Sequence, residues 1–200
     1  MLFRFLAKLF SNRPATSSAV ALGVLAAAAS FTTQIGVLTL GWRIGSIYDA
    51  PWRLLTSQFV HLGPAHFSVN FLAAVLLGVV CDRLHVTRQL FGATLASFVA
   101  VCTGLEWGPW PLNWYVGFSG VLHGLFAWLC LSIARTTTTA RFWSARAGAL
   151  ALYAGGLIKV VSALSIPVGS PGWLEIPQAT PVHLYGYAGG TLWALLRRGK

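Results

Sequence analysis

Apolar residues gather into six long blocks along the chain, separated by short polar or Gly/Pro-rich stretches. A helix needs about 20 mostly apolar residues to cross the hydrocarbon core of a bilayer. Read with that window, the blocks predict membrane-spanning helices over Ser17–Ile35, Ala65–Val80, Gln89–Gly104, Gly117–Ile133, Ala147–Ala163 and Pro181–Leu196. Several are short and rich in Gly and Ala, which suits helices packed on one another more than on lipid. No internal repeat and no polar linker divides them. The pattern predicts an all-α, polytopic membrane protein with six transmembrane helices. It forms one domain over residues 1–200, of which residues 1–16 are a cytoplasmic or interfacial N-terminal segment.

Composition agrees. The chain is 56% hydrophobic and only 9% charged, whereas soluble domains carry roughly a quarter charged residues. That excludes a soluble globular protein, a disordered tail and a secreted disulfide scaffold. The net charge of +10 would suggest nucleic acid in a soluble chain. In an apolar one it reports topology, because Lys and Arg collect in short cytoplasmic loops. With the N-terminus inside, the inner segments hold Arg4, Lys8 and Arg13, then Arg83 and Arg88, then Arg135, Arg141 and Arg146, then Arg197, Arg198 and Lys200. That is eleven of the fourteen positive residues. Arg43 and Arg53 fall outside, with Asp49, Glu106 and Glu175, and Lys159 lies inside the fifth span. The expected topology is N-in and C-in.

Two features of the N-terminus carry a second reading each. MLFRFLAKLF sets Arg4 and Lys8 four residues apart among Leu and Phe, a pattern of either a short interfacial helix or a plain cytoplasmic flank. The basic start followed by VALGVLAAAAS also resembles a secretory signal peptide. The coherent charge pattern over six spans favours a retained first span. Cys81, Cys102 and Cys130 lie singly in three spans without a CxxC, which points to buried packing thiols and against a redox motif.

Polar and ionisable groups inside spans are costly and by default mark function. Here they fall in one layer. His61, His66 and Asn70 lie at the outer start of the second span, Ser119 and His123 at the outer start of the fourth, and His183 at the outer start of the sixth. All three spans run from outside to inside, so the groups share a depth just below the outer surface. His66 and Asn70 are four apart and share a helix face. Ser119 sits between Gly117 and Gly120 at a loop-to-helix junction, where backbone N–H groups without helical partners could hold an oxyanion. His183 is followed by Gly186, Gly190 and Ala194, a small-residue ridge that lets the sixth helix pack closely on a neighbour. If that neighbour is the fourth helix, His183 meets Ser119. Serine beside a neutral imidazole is an activated nucleophile. No acidic residue accompanies the pair, since Asp82 is at the wrong end of its span. Each residue alone also has a packing role open to it; the shared depth and entrance side set the group apart.

These residues resemble the rhomboid intramembrane serine proteases over nearly the whole chain. The matching positions are Trp52-Arg53, His61, His66, Asn70, Gly117-x-Ser119-Gly120 and His183-x-x-Gly186-x-x-x-Gly190-x-x-x-Ala194. The resemblance implies a six-helix rhomboid-like bundle that hydrolyses a peptide bond in or next to a substrate's transmembrane helix. It implies Ser119 as nucleophile and His183 as general base. The oxyanion hole would be the Ser119 backbone N–H, His66 and Asn70, with Gly117, Gly120, Gly186 and Gly190 in support. His61 has a structural part in this family, and Trp52 and Arg53 brace the first outer loop. Neither metal nor cofactor is expected, and the partners are the lipid bilayer and a membrane-anchored protein substrate, not nucleic acid.

One position departs from the family. Many rhomboids carry a Tyr four residues after the nucleophile, packed on the catalytic His; here that place is His123. His123 either stacks on His183, or hydrogen-bonds and tunes it, or is a core His bonded to a neighbouring carbonyl. The stretch GFSGVLHG and the short six-span build are similar to the rhombosortase subgroup of bacterial rhomboids. That likeness implies the bacterial inner membrane, a site facing the exterior, and substrates with a C-terminal Gly-Gly motif, hydrophobic helix and basic tail. A catalytically inactive rhomboid-like binder of membrane clients is the alternative, though such proteins usually lack the Ser or the His. A zinc protease would need H-E-x-x-H and an aspartyl type two intramembrane Asp residues, and the sequence has neither. A transporter would predict broken helices in paired repeats.

Overall fold

The computed structural model describes residues 13–30, 33–110, 112–136, 143–165 and 179–197. The expected interfacial helix around Arg4 and Lys8 lies outside the described residues, as does Glu175. The elements run α1 (Pro14–Ser30), α2 (Thr33–Leu40), β1 (Trp42–Arg43), α3 (Ser46–Asp49), α4 (Arg53–Thr56), α5 (Pro64–Arg83), α6 (Thr87–Trp107), β2 (Trp114–Tyr115), α7 (Ser119–Thr136), α8 (Trp143–Ser165) and α9 (Thr180–Leu196). The architecture is an all-α bundle with one two-residue strand pair. The second to sixth predicted spans each coincide with one helix, extended by a few residues. The first corresponds to α1, which already begins at Pro14, with helical residues again from Thr33 in α2.

Local chemistry explains the starts of these helices. Pro64 and Pro181 occupy the first turns of α5 and α9, where a missing N–H leaves no helical bond unmade. α1 receives its cap from another helix. Asp82 Oδ1 accepts from the Ala15 N–H at 3.0 Å, and Oδ2 from the Thr16 N–H at 2.9 Å and the Thr16 hydroxyl at 2.6 Å. Thr87 Oγ1 donates to the same carboxylate at 3.2 Å. Asp82 therefore ties α1 to the α5–α6 turn.

α5, α6 and most of α8 (Ser144–Leu164) are long and apolar enough to cross a bilayer. α7, at 18 residues, spans about 27 Å. It packs against α5, α6, α8 and α9 and buries Val121, Leu122, Leu125, Ala127, Trp128, Leu129, Cys130 and Ala134. A helix clad in protein need not match the lipid thickness. α9 lies in the groove between α6 and α7. Its contact with α7 is backbone to backbone: a methyl group at Gly186 would overlap the Gly120 carbonyl, and one at Gly190 the Gly124 carbonyl. The pairs ascend together, so the two helices run parallel and both begin at the same end of the bundle. At the other end the Arg135 guanidinium donates to the Ala194 carbonyl.

The segment between α2 and α5 is fastened over the starts of the helices. β1 pairs with β2 in antiparallel register, Trp42 opposite Tyr115 and Arg43 opposite Trp114. Glu106 Oε1 accepts from Trp42 Nε1 at 2.6 Å and from the Ile47 N–H at 3.2 Å. The sequence places Glu106 in an outer loop; it sits instead in the last turn of α6, where its two partners hold it. Arg53 Nη1 donates to the Gly41 carbonyl at 2.8 Å, while Trp52 stays 56% exposed, as an interfacial anchor would. The three cysteines are unpaired with one another; Cys81 and Cys130 are buried, and Cys102 is half-buried.

Candidate active site

The loop into α7 is the foundation of the site. Gly117 has φ +111°, a conformation L side chains rarely adopt, and a Cβ there would strike the His66 ring. Its N–H donates to the Ser57 carbonyl at 2.8 Å. Tyr115, 2% exposed, braces both sides of the turn: its hydroxyl donates to the Gly117 carbonyl at 2.5 Å and accepts from the Gly120 N–H at 3.3 Å. Burial pushes the Tyr115 phenol up to about 12, so it remains a donor at any physiological pH. The chain is thereby delivered at a fixed angle to Ser119, the first residue of α7.

Ser119 and His183 come together. Ser119 Oγ lies 2.9 Å from His183 Nε2, within hydrogen-bond range. An imidazole nitrogen at that distance can accept the hydroxyl proton as the oxygen attacks an electrophile. Gly120 and Gly186 cross just below the pair and leave no room for side chains between the helices. Glu106 and Asp82 are engaged elsewhere, as described above, so neither carboxylate orients the imidazole.

His66 and Asn70 face the same junction from the first turns of α5. The His66 ring and Asn70 Nδ2 both border Gly117, two residues before Ser119. Asn70 is 5% exposed and donates from Nδ2 to the His66 carbonyl at 3.1 Å. His61 stands behind them: its ring meets those of His66 and Phe67 edge-on at 5.0 and 5.5 Å. It is a packing residue of the loop before α5, not part of the Ser119 cluster.

Burial, with His66 adding to it, holds His61 down at about 4, against about 6.5 for a free histidine. The folded protein keeps His61 neutral while the unfolded chain takes up a proton below about 6.5. Between those values the unfolded state binds more protons, so stability falls as pH falls. The expected result is a melting temperature insensitive to His61 above pH ~6.5 and declining between about 6.5 and 4. Melting curves of wild type and His61→Phe over that window check it. An equal acid-side slope in the two proteins contradicts the assignment.

His123 lies one turn after Ser119 and makes two of the contacts left open by the sequence. Its ring stacks on His183, with centroids 4.1 Å apart and planes 16° from parallel. Its Nδ1 is 2.8 Å from the Ser119 carbonyl oxygen. Its third partner, which no sequence pattern marks, is Lys159 of α8, whose Nζ is 3.2 Å from His123 Nε2. Nor does any local pattern mark Tyr115, whose two hydrogen bonds across the turn form only on folding. Among the described residues no group of three or more His, Cys, Asp or Glu is arranged to hold a metal ion.

The fold and this cluster define a class: a helical membrane protein with a Ser–His contact set among helix starts. A comparison with family models identifies the Rhomboid domain over residues 48–200. The chain belongs to the rhomboid family of intramembrane serine proteases, and is a multi-pass membrane protein. Among curated proteins, none matches it.

Proposed function

We propose that the protein is an active intramembrane protease working through a Ser119–His183 dyad. The observation that carries this reading is the 2.9 Å contact between Ser119 Oγ and His183 Nε2 in a chain of this family. Ser119 Oγ attacks the scissile carbonyl carbon as its proton passes to His183 Nε2. The Ser119 N–H, His66 and Asn70 donate to the resulting oxyanion. Collapse breaks the C–N bond, and the His183 imidazolium gives its proton to the leaving amine. Water then hydrolyses the acyl–serine ester with His183 as base. In place of a carboxylate, the stacked His123 ring orients the imidazole.

The substrate in this reading is a membrane-anchored protein cut in or next to its transmembrane helix. The stretch GFSGVLHG supports the narrower choice of a C-terminal tail made of Gly-Gly, a hydrophobic helix and basic residues. The inside bias of Lys and Arg supports an N-in, C-in topology with the site facing outward, and the rhombosortase likeness supports a bacterial inner membrane.

The test uses the full-length protein in proteoliposomes with a fluorescent reporter carrying such a tail. The expected product is a single new terminus beside the Gly-Gly, absent when the Gly-Gly is replaced by Leu-Leu. Cleavage of an unrelated transmembrane reporter, with the tailed one untouched, would reject the substrate but keep the protease. Tight binding of reporters with none cut would favour the inactive client-binding reading.

A further inference from the structure

Lys159 is the one charge in the interior of α8, inside an otherwise uncharged segment from Gly148 to Leu164. A lysine at such a depth is costly unless something rewards it. Its neighbours Ile158 and Val161 are exposed apolar residues, suited to lipid. Lys159 is exposed as well, but its amine lies against α7, 3.2 Å from His123 Nε2.

The two hydrogen bonds of His123 fix its protons. The Ser119 carbonyl can only accept, so Nδ1, 2.8 Å away, carries hydrogen and donates. An ammonium can only donate, so Nε2 accepts a hydrogen bond from Lys159 Nζ and carries no hydrogen of its own. Both ring nitrogens are thus held, one by α7 and one by α8, and the ring cannot flip or rotate without breaking a bond. That ring is the surface on which His183 lies, 4.1 Å away and 16° from parallel. His183 in turn must keep Nε2 aimed at Ser119 Oγ.

We infer that Lys159 is a positioning residue of the site: by pinning His123 in one neutral tautomer it fixes the platform that orients His183. It touches neither substrate nor reacting atoms. The inference rests on the Ser119–His183 reading, and extends it to a helix that contributes no other side chain to the cluster.

The test has two independent readouts on full-length protein in detergent micelles. The first is reporter turnover by K159M, K159R, H123F and the double variant K159M/H123F. K159M is expected to lower kcat about tenfold at unchanged KM, as misplacement of a catalytic group does. K159R, which keeps a donor, is expected to retain most activity. The double variant should be no slower than H123F alone, because the lysine acts only through the histidine. The second readout is the nitrogen-15 NMR signature of His123, identified by its loss in H123F. It should show the Nδ1–H tautomer in wild type and in S119A, and a mixture in K159M. Wild-type kcat in K159M, multiplicative losses in the double variant, or an unchanged tautomer in K159M would each overturn the inference. Failure of wild type to react with a fluorophosphonate would overturn the serine reading and the positioning role with it. The tautomer comparison would still report whether the pin exists.

Discussion

Ser119→Ala is expected to abolish reporter cleavage while leaving the melting temperature within a few degrees of wild type. The hydroxyl is the atom that would attack, and alanine removes only that oxygen. Its hydrogen-bond partner His183 is not otherwise dependent on it, since the ring remains stacked on His123. Losses on the order of 10⁴-fold or more follow the removal of a serine nucleophile. His183→Ala is expected to be nearly as severe, and the double variant no worse than either single change, because the two groups act as a unit. The measurements are turnover in proteoliposomes and labelling by a fluorophosphonate, with a melting curve as the fold control. Undiminished cleavage by Ser119→Ala would end the dyad reading; multiplicative losses in the double variant would show that the two residues act separately.

Gly186→Leu is expected to damage both fold and activity. Even a methyl group at this position overlaps the Gly120 carbonyl, so α9 must move away from α7 over the whole crossing. Overpacking of a tight core costs about 1–3 kcal/mol, and here the obstacle is backbone, which no rotamer change relieves. The displacement also reaches His183, one turn earlier on the same helix. A shift of about 1 Å in a reacting group can cost on the order of 10²-fold in rate. Gly155→Leu on α8 is the control, since a Cβ there meets nothing; it should leave melting and turnover close to wild type. A Gly186→Leu protein that melts and cleaves like wild type would show that the crossing does not set the geometry.

The helical architecture was legible because lipid imposes a length and a polarity on each span, and both are written locally in the chain. The meeting of Ser119, His183, His66 and Asn70 at the start of α7 was legible for a related reason. A polar group in an apolar block stands out, and topology converts sequence position into depth. The Gly186–Gly190 ridge even named its own purpose, close packing of a helix, without naming its partner. The ties that steady the site were not legible. Asp82 caps a helix 66 residues away in sequence, Glu106 reaches Trp42 across 64, and Lys159 meets His123 across 36. No periodicity encodes such pairs, which exist only once the helices have packed. Tyr115 was hidden differently: a tyrosine in an aromatic loop looks like an interfacial anchor, and its two hydrogen bonds appear only when the loop folds back on Gly117 and Gly120.

α5, α7 and α9 all start at the site, carrying His66, Ser119 and His183 within their first turns. Each helix start presents the positive end of its macrodipole, worth about 0.3–1 kcal/mol to a nearby negative charge and up to ~2 kcal/mol in a partly buried setting. Three such ends converge on the cluster, beside the Lys159 amine that reaches His123 from α8. In the proposed reaction the negative charge of a tetrahedral intermediate would meet the positive ends of these helices, in place before the substrate arrives.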